Sequence, residues 1–400
     1  MSRVTPATPE RPRGGSGPAP GAVAAADRRA RVALNLLAEP GDARLATLVT
    51  ELGPRAVHEQ LLRRHGDGGV GDDVAARLRA LDPDAELARA IRSGIRFVCP
   101  GDEEWPASLA DLDRAEELNG RGGAPMGLWL RGPARLDEVV ARAVAVVGSR
   151  SATTYGAGVA GDLAAQLAEA GVTVVSGAAF GIDQAAHRGA LAARGPTVAV
   201  LACGADRCYP AAHRDLLTYV AETGLVVSET PPGGAPTKLR FLSRNRLIAA
   251  LSQGTVVVEA AVRSGALNTA NWAGLLHRTV MGVPGPVTSA PSEGVHELLR
   301  TRGASLVTRG SDVLELVSPT GTGTQLPRRA RDRPVDRLSR LDRQVLDGVP
   351  VLVPASTASV ARAAGVAART VDEALTRLTA AGFVEVSGRG WRLAADDPAP

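Results

Sequence analysis

Ala141 to Gly161 reads ARAVAVVGSRSATTYGAGVAG. An apolar run ending at Val147 leads into Gly148-Ser149-Arg150, and further on Gly156, Gly158 and Gly161 complete a G-x-G-x-x-G. Such a triplet marks a dinucleotide site when its first Gly forms the tight turn directly after a strand, so that a pyrophosphate meets the N-terminus of the next helix. Here GSRSATTY intervenes between the run and Gly156. The fingerprint also needs an acidic residue about 20 positions on, at the end of the second strand, to hold the ribose hydroxyls. The next apolar run, VTVV, closes on Ser176-Gly177 instead. The spacing argues against redox chemistry on a dinucleotide and leaves the glycines to helix–sheet packing.

Working outward, similar apolar runs recur through residues 95–317: VTVVSG, TVAVLACGAD, GLVVSE, TVVVEA, TVMGVPG and ASLVT. Ala/Leu-rich helical segments such as GDLAAQLAEAG and QAAHRGALAARG lie between most of them. Continuous Val-rich runs alternating with helices predict a doubly wound α/β fold, its mostly parallel sheet buried on both faces. Ligands of such sheets sit outside the carboxyl ends of the strands. Polar residues gather at those ends: Gly148-Ser149-Arg150, Ser176-Gly177, Gly204-Ala205-Asp206, Ser228-Glu229 and Glu259.

Residues 1–22 are rich in Pro, Gly, Ser and Arg without a periodic apolar face, and are expected to be disordered. Over 23–94 apolar residues recur at three- and four-residue intervals, broken at PGD and GPR, which predicts short helices joined by tight turns. A helix-hairpin-helix or SAM-like module fits that pattern, and so does a helical packing module with no nucleic-acid role. Residues 318–337 form an expected linker. Over 338–394, LSRLDRQVLDGV, ASVARAAG and TVDEALTRLTAAG predict three helices, and FVEVSGRGWRL predicts two strands, the order of a winged helix domain. Thr370 and Glu373 are spaced as a capping box. The third helix offers Asp372 and Glu373 in its first turn and only Arg377 beyond, a poor face for a phosphate-lined groove. Protein contact or a secondary role is expected of it.

No apolar stretch reaches the roughly 18 residues of a membrane span, and the N-terminus lacks the apolar centre of a signal peptide. A cytoplasmic chain without membrane contact is expected. Cys99, Cys203 and Cys208 form no C-x-x-C and the histidines no paired spacing, so free thiols and no metal or cofactor are expected. The formal charge is +4, but Lys238 is the sole lysine. The arginine excess, with that of Ala, Gly and Pro, reflects GC-rich coding, so where the arginines cluster matters more than their number.

Several stretches offer anion contacts. Gly148-Ser149-Arg150, where a strand meets a helix start, supplies backbone N–H groups, a hydroxyl and a guanidinium. In SGAAFGIDQAAH, Gly177 and Gly181 allow turns barred to other residues, while Asp183 is placed to cap the helix carrying His187. Ser264-Gly265 opens another helix after the run ending at Glu259. Each stretch also reads as a capped turn without a ligand. In PTKLRFLSRNRLIAALS, Lys238, Arg240, Arg244 and Arg246 put four cations within nine residues, with Phe241 and Asn245 among them. That cluster suits a single-stranded backbone with one stacking platform; a solvated charge run is the alternative. Asp183, His187, Asp206, Glu229 and Glu259 could supply acid or base, but no nucleophile–base spacing or phosphate-cradling GxxxxGK accompanies them. A structural polar network accounts for most of them.

Taken in order, VAVVGSRSATTYG, VVSGAAFGIDQAAHRGAL, CGADRCYPAAHRDLL, SETPPG, FLSRNRLIAALS, VVVEAAVRSGALNTANWA and GVPGPVTSAPSEGVHELLRTRGASLV resemble the DNA-processing protein A family (DprA, also called Smf). The resemblance covers residues 95–310, and the flanking segments resemble the family's optional domains. It implies an extended Rossmann-like domain that is no dinucleotide oxidoreductase, binding of single-stranded DNA, homodimerisation, and loading of a RecA-type recombinase during natural transformation. By motif position it implies that Arg150, Arg244 and Arg246 fall in the DNA-binding pocket, with Ser176, Gly177, Gly181, Ser264 and Gly265 shaping its floor. Two departures stand out: Ala211-Ala212-His213-Arg214 where Lys and Asn are usual, and Leu242 where Pro is common. The fold is also similar to that of nucleotide phosphoribohydrolases, which use an Arg and a Glu near a PGGxGTxxE loop. Here Ala235-Pro236-Thr237 follows Pro232-Gly233-Gly234, and Glu259 arrives too late for that spacing.

Overall fold

Val144 and Val146 pack against one layer of helices, and Ala143, Ala145 and Val147 against the other. This alternation runs through the centre of the sheet and explains why both faces of that strand had to be apolar. The computed structural model describes residues 25–63, 70–318, 334–388 and 390–394. The expected tail 1–22 and most of the expected linker lie outside them. The chain divides into two compact units between Thr324 and Gln325.

In the first unit the strands are β1 Ile95–Val98, β2 Leu128–Arg131, β3 Ala143–Val147, β4 Thr173–Ser176, β5 Thr197–Leu201, β6 Leu225–Ser228, β7 Gly254–Val257, β8 Thr279–Gly282 and β9 Ser305–Leu306. They form one sheet in the order β1-β2-β6-β5-β4-β3-β7-β8-β9. The pairs from β6 through β5, β4, β3, β7 and β8 to β9 are parallel, as the alternation with helices requires. β1 and β2 add an antiparallel edge that the Val-rich pattern did not reveal. No long helix separates them to advertise a crossover, only the short turn of helix Ala107–Asp113.

The chain winds outward from β3 to β6, then returns across the sheet through the helix Lys238–Ala250 to β7, on the other side of β3. The carboxyl ends of β3 and β7 are therefore a topological switch point, where adjacent connections diverge and open a crevice. Helices Ala25–Leu37, Ala43–Leu52, Pro54–Arg63, Val70–Arg79 and Pro83–Arg92 precede β1. They belong to the same compact unit as the sheet, and Val32 and Ala90 join Ile95, Phe97 and Trp129 in one cluster.

Two of the three glycines of the opening triplet, Gly156 and Gly161, lie at close contacts. A Cβ on Gly156 would overlap the Glu259 carboxylate, and one on Gly189 would overlap the backbone of Gly161, so the helices Thr154–Glu169 and Ile182–Ala192 cross in close contact there. Gly158 meets nothing.

In the second unit, helices Arg340–Asp347, Thr357–Ala364 and Ala368–Ala380 pack around Val345, Val360, Val371 and Leu375. An antiparallel hairpin, Val384–Ser387 and Gly390–Leu393, follows. The third helix starts at Ala368 with Ala367 as its cap residue. The expected capping box is thus corrected: Thr370 already lies inside the first turn.

Candidate nucleic-acid interface

A cleft of about 810 Å³ opens at the switch point. Gly148, Ser149 and Arg150 after β3 form one side, and Arg263, Ser264 and Gly265 after β7 another. The helix Lys238–Ala250 supplies Lys238, Phe241, Arg244 and Asn245, and Tyr209 closes the rim. Lys238, Arg150 and Arg263 are exposed, whereas Arg244 is buried in the floor. Among the described residues Asp183 is the only acidic one lining the cleft, and it too is buried.

The arginines converge on one aromatic platform. The Arg150 guanidinium lies 4.6 Å from the Phe241 ring centroid and that of Arg244 lies 5.8 Å away, within cation–π range. Tyr209 packs against the same ring at 5.7 Å. Arg244 donates to the Val200 carbonyl at 3.1 Å. Its guanidinium sits where a Cβ of Gly177 would have to be, so any side chain at 177 would displace it. Burial pulls the Arg244 pKa down to about 10, against the attraction of Asp183 and with the help of Arg150. Arg244 still carries its charge at neutral pH. A cation held dry and partly uncompensated gains more from an arriving anion than one in water does.

Eight of the residues expected from the sequence thus share the cleft: Gly148, Ser149, Arg150, Lys238, Arg244, Asn245, Ser264 and Gly265. The others are placed elsewhere. Ser176 is fully buried and donates to the Val146 carbonyl. Gly177 sits behind Arg244, and Gly181 makes a turn at φ 77° against the carbonyls of Ser149 and Arg150. Arg240 forms a bidentate pair with Glu39, at 2.8 and 2.7 Å. Arg246 is fully buried and forms a bidentate pair with Glu229, at 2.6 and 2.7 Å. The two arginines of Arg244-Asn245-Arg246 therefore face opposite ways: residues two apart on an α-helix point about 200° from each other.

The chain's own carboxylates fill one of the expected anion turns, that of Gly177, and the helix start that follows Gly148-Ser149-Arg150. Glu259 accepts from the Thr153 N–H at 2.9 Å and from its hydroxyl at 2.5 Å, at the start of the helix Thr154–Glu169. This is where the pyrophosphate of a dinucleotide would bind, and it is occupied. Asp183 lies inside its helix, whose cap residue is Gly181, and accepts from the backbone of Gly177 and Ala179. It ties the loops together instead of capping the helix. Burial raises the Asp183 pKa, opposed by Arg244 and the backbone N–H groups.

The remaining acid–base candidates serve the scaffold. His187 is fully buried, its Nδ1 2.7 Å from the Thr197 hydroxyl, and burial, with His213 and Arg244 nearby, pushes its pKa down to about 3. It stays neutral. Asp206 accepts from the Gly233 N–H at 2.9 Å and so braces the Pro232-Gly233-Gly234 turn. Glu229 is spent on Arg246, and all three cysteines are free. Among the described residues no cluster of His, Cys, Asp and Glu could hold a metal ion, and no helix is long and apolar enough to cross a membrane.

Arg263 and Tyr209 escaped the sequence reading. Arg263 directly precedes the Ser264-Gly265 turn, and a basic residue beside a turn at a strand's carboxyl end was the available signal. Tyr209 precedes the segment that departs from the family pattern. Within that segment His213 turns inward, 3.0 Å from the Ala178 carbonyl and edge-on to Phe180, while Arg214 is exposed.

Fold and cleft together define a Rossmann-like α/β protein with a cationic groove at its switch-point crevice. Residues 96–318 match the family described as DNA recombination-mediator protein A, and the chain belongs to that family. It is 46% identical over 376 residues to a DNA processing protein DprA of Mycobacterium tuberculosis, covering 91% of this chain and 94% of the relative. It is 43% identical over 191 residues to the DNA processing protein DprA of Streptococcus pneumoniae, covering 48% of this chain and 66% of the relative. An X-ray structure of the Streptococcus pneumoniae DprA superposes with a TM-score of 0.61 at 31% identity, over 74% of this chain and 99% of the other.

Proposed function

We propose that the cleft binds single-stranded DNA without sequence preference, and that the protein protects exposed or incoming strands and hands them to a RecA-type recombinase. The observation that carries this reading is the convergence of Arg150, Lys238, Arg244 and Arg263 on a groove whose only acid is buried. Phosphates of a backbone would lie on these cations, while Phe241 and Tyr209 offer ring faces to unstacked bases. A concave groove with a ring at its rim suits a single strand better than a duplex, whose bases stay stacked. The family's description as a recombination mediator supports the recombinase partner. Homodimerisation, a cytoplasmic location and the absence of any cofactor complete the proposal, with transformation or general recombination as its setting.

Hydrolysis of nucleotides is the reading this replaces. Glu259, Glu229 and Asp183 are each buried and occupied by partners within the chain, so none is free to act on a glycosidic bond. Fluorescence anisotropy with a single-stranded oligonucleotide, its duplex and mononucleotides, in parallel with an assay for released base, tests the proposal. Preference for the single strand with no base released is expected. Equal affinity for duplex, or release of base from nucleoside monophosphates, overturns it.

A further inference from the structure

The helix Lys238–Ala250 presents one face to the cleft and is held from behind on the opposite face. Positions 240, 243 and 246 recur every three residues, on the side away from Phe241, Asn245 and Ile248. Each meets the N-terminal helices or the groups that anchor them. Arg240 takes both carboxylate oxygens of Glu39. Ser243 donates to the Pro40 carbonyl at 2.7 Å. Arg246 takes both oxygens of Glu229, which also accepts from the Gly41 N–H at 3.3 Å, while the Glu229 carbonyl accepts from Asn35. Asn35 in turn accepts from the Trp129 indole at 2.8 Å.

We propose that the segment 35–41 is a positioning element of the cleft, fixing the helix Lys238–Ala250 so that Arg244 and Asn245 face the bound strand. The inference rests on the cleft being the DNA site. It assigns Glu39 and Arg240 a role in binding although neither lines the groove. The cation of Arg240, counted with the cluster on sequence alone, is thereby given to the scaffold.

Charge makes the test decisive. Glu39→Arg adds two positive charges near the cleft, so a purely electrostatic role would tighten binding, as would release of Arg240 to reach phosphate. Positioning predicts the opposite sign: Glu39→Arg weakens single-strand affinity about fivefold in the full chain, as read by anisotropy at a temperature where circular dichroism shows it folded. Arg240→Glu also weakens binding. The double variant Glu39→Arg with Arg240→Glu rebuilds the pair in reverse and restores affinity to within twofold of the parent. Tighter binding by Glu39→Arg, or no recovery in the double variant, overturns the inference. Arg150→Ala, measured alongside, separates the two claims. If it binds as the parent does, the cleft itself is misassigned; if it weakens binding while the pair variants do not behave as stated, only the positioning role fails.

Discussion

Arg244 and Arg246 are two residues apart in sequence and belong to different chemistries. Arg244 lies in the floor of an open groove with one neutral hydrogen-bond partner, no directly bonded carboxylate, and Asp183 and Arg150 acting on it with opposite sign. Arg246 lies in a closed interface with its charge matched by Glu229 and its Nε donating to the Gly123 carbonyl at 3.1 Å. The first is left partly uncompensated, and the second is satisfied on every side. An open groove and a closed joint can thus be built from the same residue type on one helix, and the partners distinguish them, not the sequence motif.

The largest expected effect breaks the joint. Arg246→Ala strands the Glu229 carboxylate in the interior, and loss of one partner of a buried pair costs about 3–5 kcal/mol. Thermal unfolding should show a large fall in Tm, and an unchanged Tm would mean that Arg246 is not the structural member of the two. Glu229→Gln should fall in the same direction by a smaller amount, because the amide can still accept from the guanidinium.

The groove residues should behave in reverse. Arg244→Ala and Arg150→Ala each remove a charge-assisted contact worth about 1.5–3 kcal/mol, or roughly ten- to hundredfold in Kd. Arg150 is exposed, so its Tm should not move, whereas Arg244→Ala should lower Tm by less than Arg246→Ala does. Titration of each variant beside a melting curve sharpens the contrast. Loss of affinity with Arg246→Ala under conditions where it is fully folded would blur it.

Acid should act on the scaffold before the groove. His187 titrates near 6.5 when unfolded and at about 3 in the fold, so the unfolded chain binds the extra proton between those values. Stability is fully present above about pH 6.5 and is lost as pH falls, at up to roughly 1.4 kcal/mol per pH unit. His187→Gln should flatten that acid limb in denaturant titrations, and an unchanged limb would remove His187 as its cause.

How far the sequence spoke follows from the same contrast. The parallel strands β3 to β9 were legible because their apolar runs alternate with helical segments, and β1 and β2 were not, because no crossover helix lies between them. Arg150, Lys238, Ser264 and Gly265 were legible as residues of the cleft because strand ends and helix starts at a switch point must face a crevice, whereas Asn245 reaches it from the middle of the helix Lys238–Ala250. The partners of Arg240 and Arg246 were not legible: Glu39 is 201 residues from Arg240, and no local pattern encodes a contact so distant. Nor could spacing show that Glu259 and Asp183 would fill the turns read as anion sites, since the same backbone N–H groups accept a ligand's oxygen or the chain's own.

The smallest expected effect concerns the second unit. The third helix begins at Ala368, so the acidic first turn expected of it is corrected: Asp372 and Glu373 fall in the second turn, Arg369 of the first turn pairs with Glu373 at 3.8 Å, and Arg377 is held by Asp342 at 2.6 Å, which leaves both arginines matched by acids. Ending the chain after Ser318 should change single-strand affinity less than twofold, and a larger loss in anisotropy would give this unit a share in binding.

The central claim is that the open face of the helix Lys238–Ala250 and its neighbouring turns neutralise the phosphates of a single strand. The most direct measurement is the dependence of single-strand Kd on salt for the parent and for the double variant Arg150→Ala with Arg244→Ala. Each lost phosphate contact on a single strand should reduce the slope of log K against log salt by about 0.7, so the double variant should be shallower by about 1.4. An unchanged slope with unchanged affinity would place the DNA elsewhere on the molecule.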